Sequence, residues 1–365
     1  KITEKNHTCK FHESAKALDD FIINNLSQIY IPITRGELWD EDEGKKTRRL
    51  AIYAVLEEIL RTLNILIHPF CPFTSEYLYQ TVFHGRQSSI LLDKWPQYQE
   101  TLVNQEIEEA FDIMKDVVSV SSAARMKGKL KRRWPLNEAQ ICVKKGHKNK
   151  LESLSELLRS QLNVEKIGIF ETEKESELEK ITELRQLELP VRTVIDLERK
   201  RIGPRAKQHM VRLVKEFGET NPEEIITSLQ NEGKFDFDFD GDKISLEDGD
   251  FVIDFDTQEN FAVAKREQCV VFIPTSRTKE MIAKGLVNDL ARRLQNLRKE
   301  RGYNPTDILE VASILDLDKE SFEMVNGKTK DLAFLVRVKK VNFIESCKEY
   351  KDEDIDGQKI RISIE

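Results

Sequence analysis

Apolar residues recur every three or four positions through the first third of the chain. Phe11, Ala15, Leu18, Ile22 and Ile29 form one series, and Ile52, Leu56, Ile59, Leu63 and Leu66 form a second within residues 45–67. Each is the single buried stripe of an amphipathic helix. The second stops at His68-Pro69. Pro69 and Pro72 each push the preceding residue out of the α region, so a new helix is expected near Thr74. A further long helix is predicted from about Gln105 to Arg125, with Ile107, Phe111, Met114, Val118 and Ser121 on its inner face. Residues 8–127 therefore predict an antiparallel bundle of four or five helices. The chain opens at Lys1 without Met and enters helical periodicity almost at once, so it is expected to be cut from something longer.

After Pro135 the helical period gives way to short strands. Glu138 to Val143 and Val164 to Phe170 predict strands flanking a helix near 149–161, and a glutamate-rich helix follows near 173–188. Two short helices are predicted at 206–217 and 222–231, then a β-meander from Phe235 to Phe255 with Gly241 and Gly249 at its turns. Residues 260–273 continue as strand. Ser276 to Arg301 predicts a long helix with Ile282, Leu286, Leu290, Leu294 and Leu297 inward. A strand at Leu309–Leu315, a short helix pair and strands near 338–344 and 358–364 complete the pattern. No internal repeat or low-complexity linker is visible. The fold class expected is a mainly α-helical bundle followed by α+β C-terminal domains. The bundle is expected at 1–135, a small α/β junction domain at 136–200 and an α+β domain at 201–365.

Charge changes this picture at one place. The 365 residues carry a net charge of −7, yet between Lys115 and Lys150 there are eleven Lys/Arg against two Asp/Glu. The apolar run from Val117 to Ala124 discharges into Arg125, Lys127, Lys129, Lys131, Arg132 and Arg133 and stops at Trp134-Pro135-Leu136. A basic patch gathered on an acidic protein is an electrostatic footprint for phosphates and points to RNA. The alternative use of such residues is to complement a helix C-terminus or to coat a solvated face. No apolar run approaches the roughly 20 residues needed to span a bilayer. Five scattered cysteines without a Cys-x-x-Cys pair give no zinc ribbon or disulfide framework, and a reducing cytoplasm fits them best.

Asp236 to Glu247 satisfies the spacing of a calcium-binding EF-hand loop. That loop needs a helix on each side, whereas Gly233 interrupts the incoming helix and Phe237 and Phe239 alternate with aspartates at strand period. The segment is therefore expected to be a hairpin. The six histidines show no ligand spacing on any predicted helix, so no metal site is expected. No phosphate-cradling Gly-x-x-x-x-Gly-Lys and no nucleophile elbow is present. The chain is expected to catalyse nothing alone.

Three groups of residues now carry a resemblance. Asn25 to Trp39, His68 to Gln80 and Arg125 to Leu136 resemble the anticodon-binding domain of class Ia aminoacyl-tRNA synthetases. The isoleucyl members are singled out further along. Gln161-Leu162-Asn163-Val164-Glu165-Lys166 is similar to their Glu-Leu-Asn-Val-Lys segment, and Ile202-Gly203-Pro204-Arg205 to their Leu-Gly-Pro-Lys. Arg292 to Glu300 with Thr306-Asp307-Ile308 is similar to their late Arg-Arg-Ile-Gln-x-Leu-Arg-Lys-Glu helix. The likeness covers nearly the whole chain. It departs in two respects. The class I catalytic sequences His-Ile-Gly-His and Lys-Met-Ser-Lys-Ser are absent, and Asn288-Asp289 stands where the family usually carries Arg-Glu, as Pro32-Ile33-Thr34 stands for a more basic Arg-Arg-Ser. The lack of a C-terminal zinc cysteine cluster resembles the archaeal and eukaryotic branch.

The resemblance implies a parent enzyme that activates isoleucine with ATP and Mg and transfers it to isoleucine tRNA, with this part reading the tRNA. It places the catalytic and editing domains upstream in the same polypeptide, and it implies no cofactor here and neither DNA nor membrane as partner. Anticodon bases are unstacked, so their recognition needs aromatic or guanidinium faces and Lys/Arg on the backbone. The expected tRNA-binding residues are Tyr30, Arg35, Trp39, Arg125, Lys127, Lys129, Lys131, Arg132, Arg133 and Trp134, with Arg292, Arg293, Arg298 and Lys299 as a secondary group. Core packing is the competing role for Trp39 and Trp134, and a solvated helix face for the secondary group. Two other functions compete: a protein-interaction module docking through the acidic 234–256 segment, and a stand-alone tRNA-binding module derived from such a synthetase.

Overall fold

The computed structural model describes residues 1–365 apart from 39–42, 85–86, 175, 240, 305, 345–348 and 356. The chain divides into two compact units, Lys1–Asn104 and Gln105–Glu365.

The first unit is helical. α1 (Ile2–His7) precedes α2 (Phe11–Asp20), which runs through a π-helical stretch, Phe21–Tyr30, into α3 (Ile31–Leu38). α4 (Lys46–Ile67) and α5 (Pro72–Thr81) follow, and Pro72 opens α5 at its first position, where its missing N–H is no loss. The predicted stripe of α4 is the one that packs: Leu63 joins Leu18 and Leu26 in a core lined by Leu56, Ile59 and Leu66.

The second unit begins with α6 (Gln105–Lys127), which the sequence pattern had placed in the bundle. Its buried face is Ile113, Met114, Val117, Val120, Ser121 and Ala124, while Ile107 is half exposed. That face is wider than one stripe because α6 lies against both a sheet and two short helices. β1 (Leu136–Lys144), α7 (Lys148–Glu152), α8 (Ser155–Leu162) and β2 (Val164–Thr172) form a parallel β-α-β crossover. An insertion follows: α9 (Glu177–Gln186), β3 (Val191–Leu197), α10 (Arg199–Ala206), α11 (Met210–Glu219), α12 (Pro222–Glu232), β4 (Lys234–Phe239), β5 (Asp242–Glu247) and β6 (Phe251–Thr257). β7 (Phe261–Lys265) and β8 (Cys269–Pro274) then return to the first sheet, whose order is β2-β1-β8-β7. α13 (Lys279–Glu300), β9 (Leu309–Leu315), α14 (Lys319–Asn326), α15 (Thr329–Val336), β10 (Val338–Phe343), β11 (Lys351–Ile355) and β12 (Gln358–Ile364) close the chain, with sheet order β10-β9-β12-β11.

Three expectations are corrected. The boundary at 200/201 does not hold, since β1 pairs with β8 and β3 with β6 across it. The absence of a repeat does not hold either. Each sheet is preceded by a long helix, has a parallel pair joined by two short helices, and adds an antiparallel hairpin whose second strand pairs with the first strand of the unit. The parallel pairing starts alike in the two copies: Leu136 pairs with Val164, and Leu309 with Val338. The 173–258 insertion breaks the first copy, which is why no fixed period shows in the sequence. Within that insertion β4 and β5 form the expected hairpin, with Phe237 and Phe239 buried in a core shared with α10, α11 and α12. Residues 260–273 are the hairpin β7–β8 instead of one strand.

Candidate nucleic-acid interface

The basic segment forms the turn between α6 and β1. α6 ends with Leu130 N–H donating to the Arg125 carbonyl at 2.8 Å and Lys129 N–H to the Met126 carbonyl at 3.2 Å, which puts Lys129 in the left-handed region at φ 54°. This is a Schellman closure with lysine at the position that glycine usually takes. Gly128 beside it is needed for space: a Cβ there would lie 3.0 Å from the Ala262 Cβ. The second repeat closes in the same way, Tyr303 N–H to the Arg298 carbonyl at 3.1 Å and Gly302 N–H to the Lys299 carbonyl at 3.1 Å, but there the left-handed residue is Gly302 at φ 77°.

Arg125 is the organising residue of the turn and not a surface cation. It is 3% exposed and donates to the carbonyls of Lys131 (3.2 Å), Trp134 (2.9 Å), Leu162 (2.8 Å) and Asn163 (3.1 Å). Burial, with Arg132 nearby, lowers its guanidinium to about 10, so it stays charged at neutral pH. Arg298 is its counterpart in the second repeat. It is 5% exposed and donates to the carbonyls of Val336, Arg337 (3.1 Å), Asn304 (3.0 Å) and Asp307 (2.8 Å). In both repeats one guanidinium holds the turn after the long helix and the left-handed end of the second short helix, adding a second donor to the carbonyls of Lys131, Asn163, Asn304 and Arg337, which already accept a backbone N–H, and supplying the donor for those of Trp134, Leu162, Val336 and Asp307.

The turn is tied to α13 through Asp289, which is wholly buried. Its carboxylate accepts from Trp134 Nε1 at 2.8 Å and Lys131 Nζ at 3.1 Å, and lies 3.1 Å from the Arg133 guanidinium. Burial opposes its ionisation, but the Trp134 and Lys131 hydrogen bonds and the charges of Lys131 and Arg133 outweigh that and hold the carboxyl below its ordinary value. Asn288 Nδ2 donates to the Arg133 carbonyl at 3.0 Å, and Asn163 Nδ2 to the Arg132 carbonyl at 3.1 Å. Trp134 is 6% exposed. Its ring lies so close to Gly285 that a Cβ there would stand 2.4 Å from Trp134 Cδ2, and Arg277 stacks over it at 4.5 Å.

Residues 1–141 match the model of the anticodon-binding domain of tRNA ligase. The chain is also similar to isoleucine–tRNA ligases over most of its length. These include the enzyme of Sulfolobus acidocaldarius (27% identical, 90% of this chain and 30% of the relative) and that of Methanothrix thermoacetophila (26%, 100% and 34%). The enzyme of Pyrococcus furiosus is 26% identical over 92% of this chain and 29% of its own length. The resemblance read from the motifs is thus borne out, and the chain spans about a third of the length of the curated relatives it matches.

The expected contact residues fall into distinct groups. Lys127, Lys129 and Arg132 are exposed and make no ion pair among the described residues, so their charge is available to phosphate. Lys131 and Arg133 are just over a third exposed and share Asp289. Arg125 and Trp134 are corrected from surface to interior: their polar groups are spent on carbonyls and on Asp289. In the first unit Tyr30 packs against the core, and burial pushes its phenol up. Arg35 is exposed, and Trp39 lies outside the described residues. Of the secondary group, Arg292 and Lys299 are exposed, Arg298 is interior, and Arg293 is held by the carbonyls of Asp289 and Asp354 and by Glu353. Sequence reasoning passed over Arg277 and gave no role to Asn163, Asn288 and Asp289. The signal was present in the last pair, which departs from the family pattern.

Among the described residues no group of acidic, histidine or cysteine side chains could hold a metal ion, and no helix is long and apolar enough to cross a membrane.

Proposed function

We propose that this chain is the tRNA-reading C-terminal part of an isoleucine–tRNA ligase, cytoplasmic, acting on isoleucine tRNA for a catalytic part upstream in the same polypeptide. The observation that carries this reading is that relatives with that name align with nearly the whole of this chain but with only about a third of their own length. ATP and Mg2+ belong to the upstream part, along with isoleucine activation and editing. What this chain supplies is a preorganised basic turn: Arg125 and Asp289 fix the backbone and the partly buried cations, and Lys127, Lys129 and Arg132 face the RNA backbone. Such contacts position the RNA, while base contacts select it.

The test is binding of an isoleucine tRNA transcript and of the same transcript with a swapped anticodon. The isolated chain is expected to bind the first more tightly, and to show no isoleucine-dependent exchange of pyrophosphate into ATP. Equal affinity for the two transcripts overturns the reading role, and detectable exchange overturns the division of labour.

A further inference from the structure

An open groove of about 370 Å³ lies where the two repeats meet, between the 131–134 turn, the end of α8 and the outer side of α13. Its volume falls at the low end of small-ligand sites, roughly 300–1,000 Å³. Arg133 and Arg292 line it, with Asn163 and Asn288, over an apolar floor that includes Ala291 and Leu335. Among the described residues no carboxylate lines it, in a chain whose net charge is −7.

The chemistry of the lining is complementary to a nucleotide. Arg133 is held in place from beneath by Asp289 and by Asn288 on its own carbonyl, so little side-chain entropy remains to be lost on binding. Arg292 is exposed and makes no ion pair among the described residues. Both asparagines spend an N–H on the backbone of the basic turn, which leaves each side-chain carbonyl as an acceptor for a base-edge amine. Two guanidiniums suit a phosphate, which they can grip through paired N–H donors. A base inside a duplex has its edge occupied and its faces stacked, so only an unpaired base can enter a pocket of this size.

We propose that this groove takes one unpaired nucleotide of RNA, with Arg133 and Arg292 on the phosphate and the Asn163 and Asn288 carbonyls on the base edge. The inference rests on the RNA-reading function above and gives that function a second, base-sensing site beside the basic turn.

The experiment uses the full chain, a stem–loop RNA with 4-thiouridine in its loop, and a blunt duplex of the same stem. Arg292→Ala and Arg292→Lys are the variants, since Arg292 is exposed and makes no ion pair among the described residues; thermal melts check that both remain folded. Expected are a photo-crosslink to the Asn288–Gln295 stretch and a loss of about tenfold in stem–loop affinity for Arg292→Ala. Duplex binding is expected to be unchanged, with no rescue by lysine, which lacks the planar fork. Equal losses on stem–loop and duplex would reduce the groove to general charge and overturn the proposal. So would crosslinks confined to Lys127–Arg132, or a free mononucleotide binding as tightly as the stem–loop. In those cases the RNA-reading function stands. Failure of the unaltered chain to bind any RNA removes both.

Discussion

Lys129 separates stability from binding, and its counterpart in the second repeat provides the control. Both residues close a long helix in the left-handed region, Lys129 at φ 54° and Gly302 at φ 77°. A side chain in that conformation costs about 1–2 kcal/mol relative to the right-handed one, whereas glycine adopts it freely. Glycine in turn adds about 0.4–1 kcal/mol of unfolded-chain entropy. Lys129→Gly should therefore stabilise the second unit by about 0.5–1 kcal/mol, and Gly302→Lys should destabilise it by a similar amount. The lysine side chain is exposed and makes no ion pair among the described residues, so no native contact is lost with it. The same Lys129→Gly change should weaken RNA binding and lower the salt dependence by about 0.7 log units per log salt, one phosphate contact on a single strand. Urea denaturation of both variants, followed by the fluorescence of Trp134 in a Trp39→Phe, Trp95→Phe background, gives the stability. Filter binding at several salt concentrations gives the slope. A Lys129→Gly chain that is less stable than its parent would refute the strain argument. One that is more stable but unchanged in salt slope would show that the strained lysine has no role in binding.

Asp289→Asn should cost about 2–3 kcal/mol. The Lys131 and Arg133 pairs, discounted for their exposure, contribute about 0.5–1 kcal/mol each, and the new amide leaves a donor against the guanidinium. A loss below roughly 0.5 kcal/mol would dismiss Asp289 as the tie. Because the folded carboxyl is held below its ordinary 3.8, the difference from the parent chain should be full above that pH and shrink as pH falls through the folded value; a gap that instead widens in acid contradicts the sign. Arg125→Ala, which strands the Trp134 and Leu162 carbonyls while those of Lys131 and Asn163 keep a backbone N–H, should cost about 2–5 kcal/mol and abolish RNA binding through loss of the turn; a folded, RNA-binding Arg125→Ala chain returns that residue to the surface group. Gly285→Ala places a methyl 2.4 Å from the Trp134 ring and should destabilise by about 1–3 kcal/mol, seen as a shift of Trp134 emission on folding; an unshifted melt would mean that the ring moves aside without cost.

The sequence by itself determined the local elements. The stripe of α4 from Ile52 to Leu66, the restart after Pro72, the β4–β5 hairpin behind an EF-hand-like spacing and the concentration of cations after Ala124 are consequences of periodicity, proline stereochemistry and charge. These act within a few residues, so a linear reading reaches them. β3 and β11 escaped it; the partner of β3 is β6, which lies far along the chain. Tertiary structure alone decided which cations face water. Arg125 and Lys127 look alike in the chain, but only Arg125 lies where the start of β1 and the end of α8 converge and turn four carbonyl acceptors toward it, and burying a guanidinium is tolerable only against such acceptors. The same rule buried Arg298 at the equivalent point and left Arg292 exposed. It also disclosed the repeat, because a backbone can be kept by a hydrogen-bond pattern of one arginine on four carbonyls while nearly every other side chain around it changes.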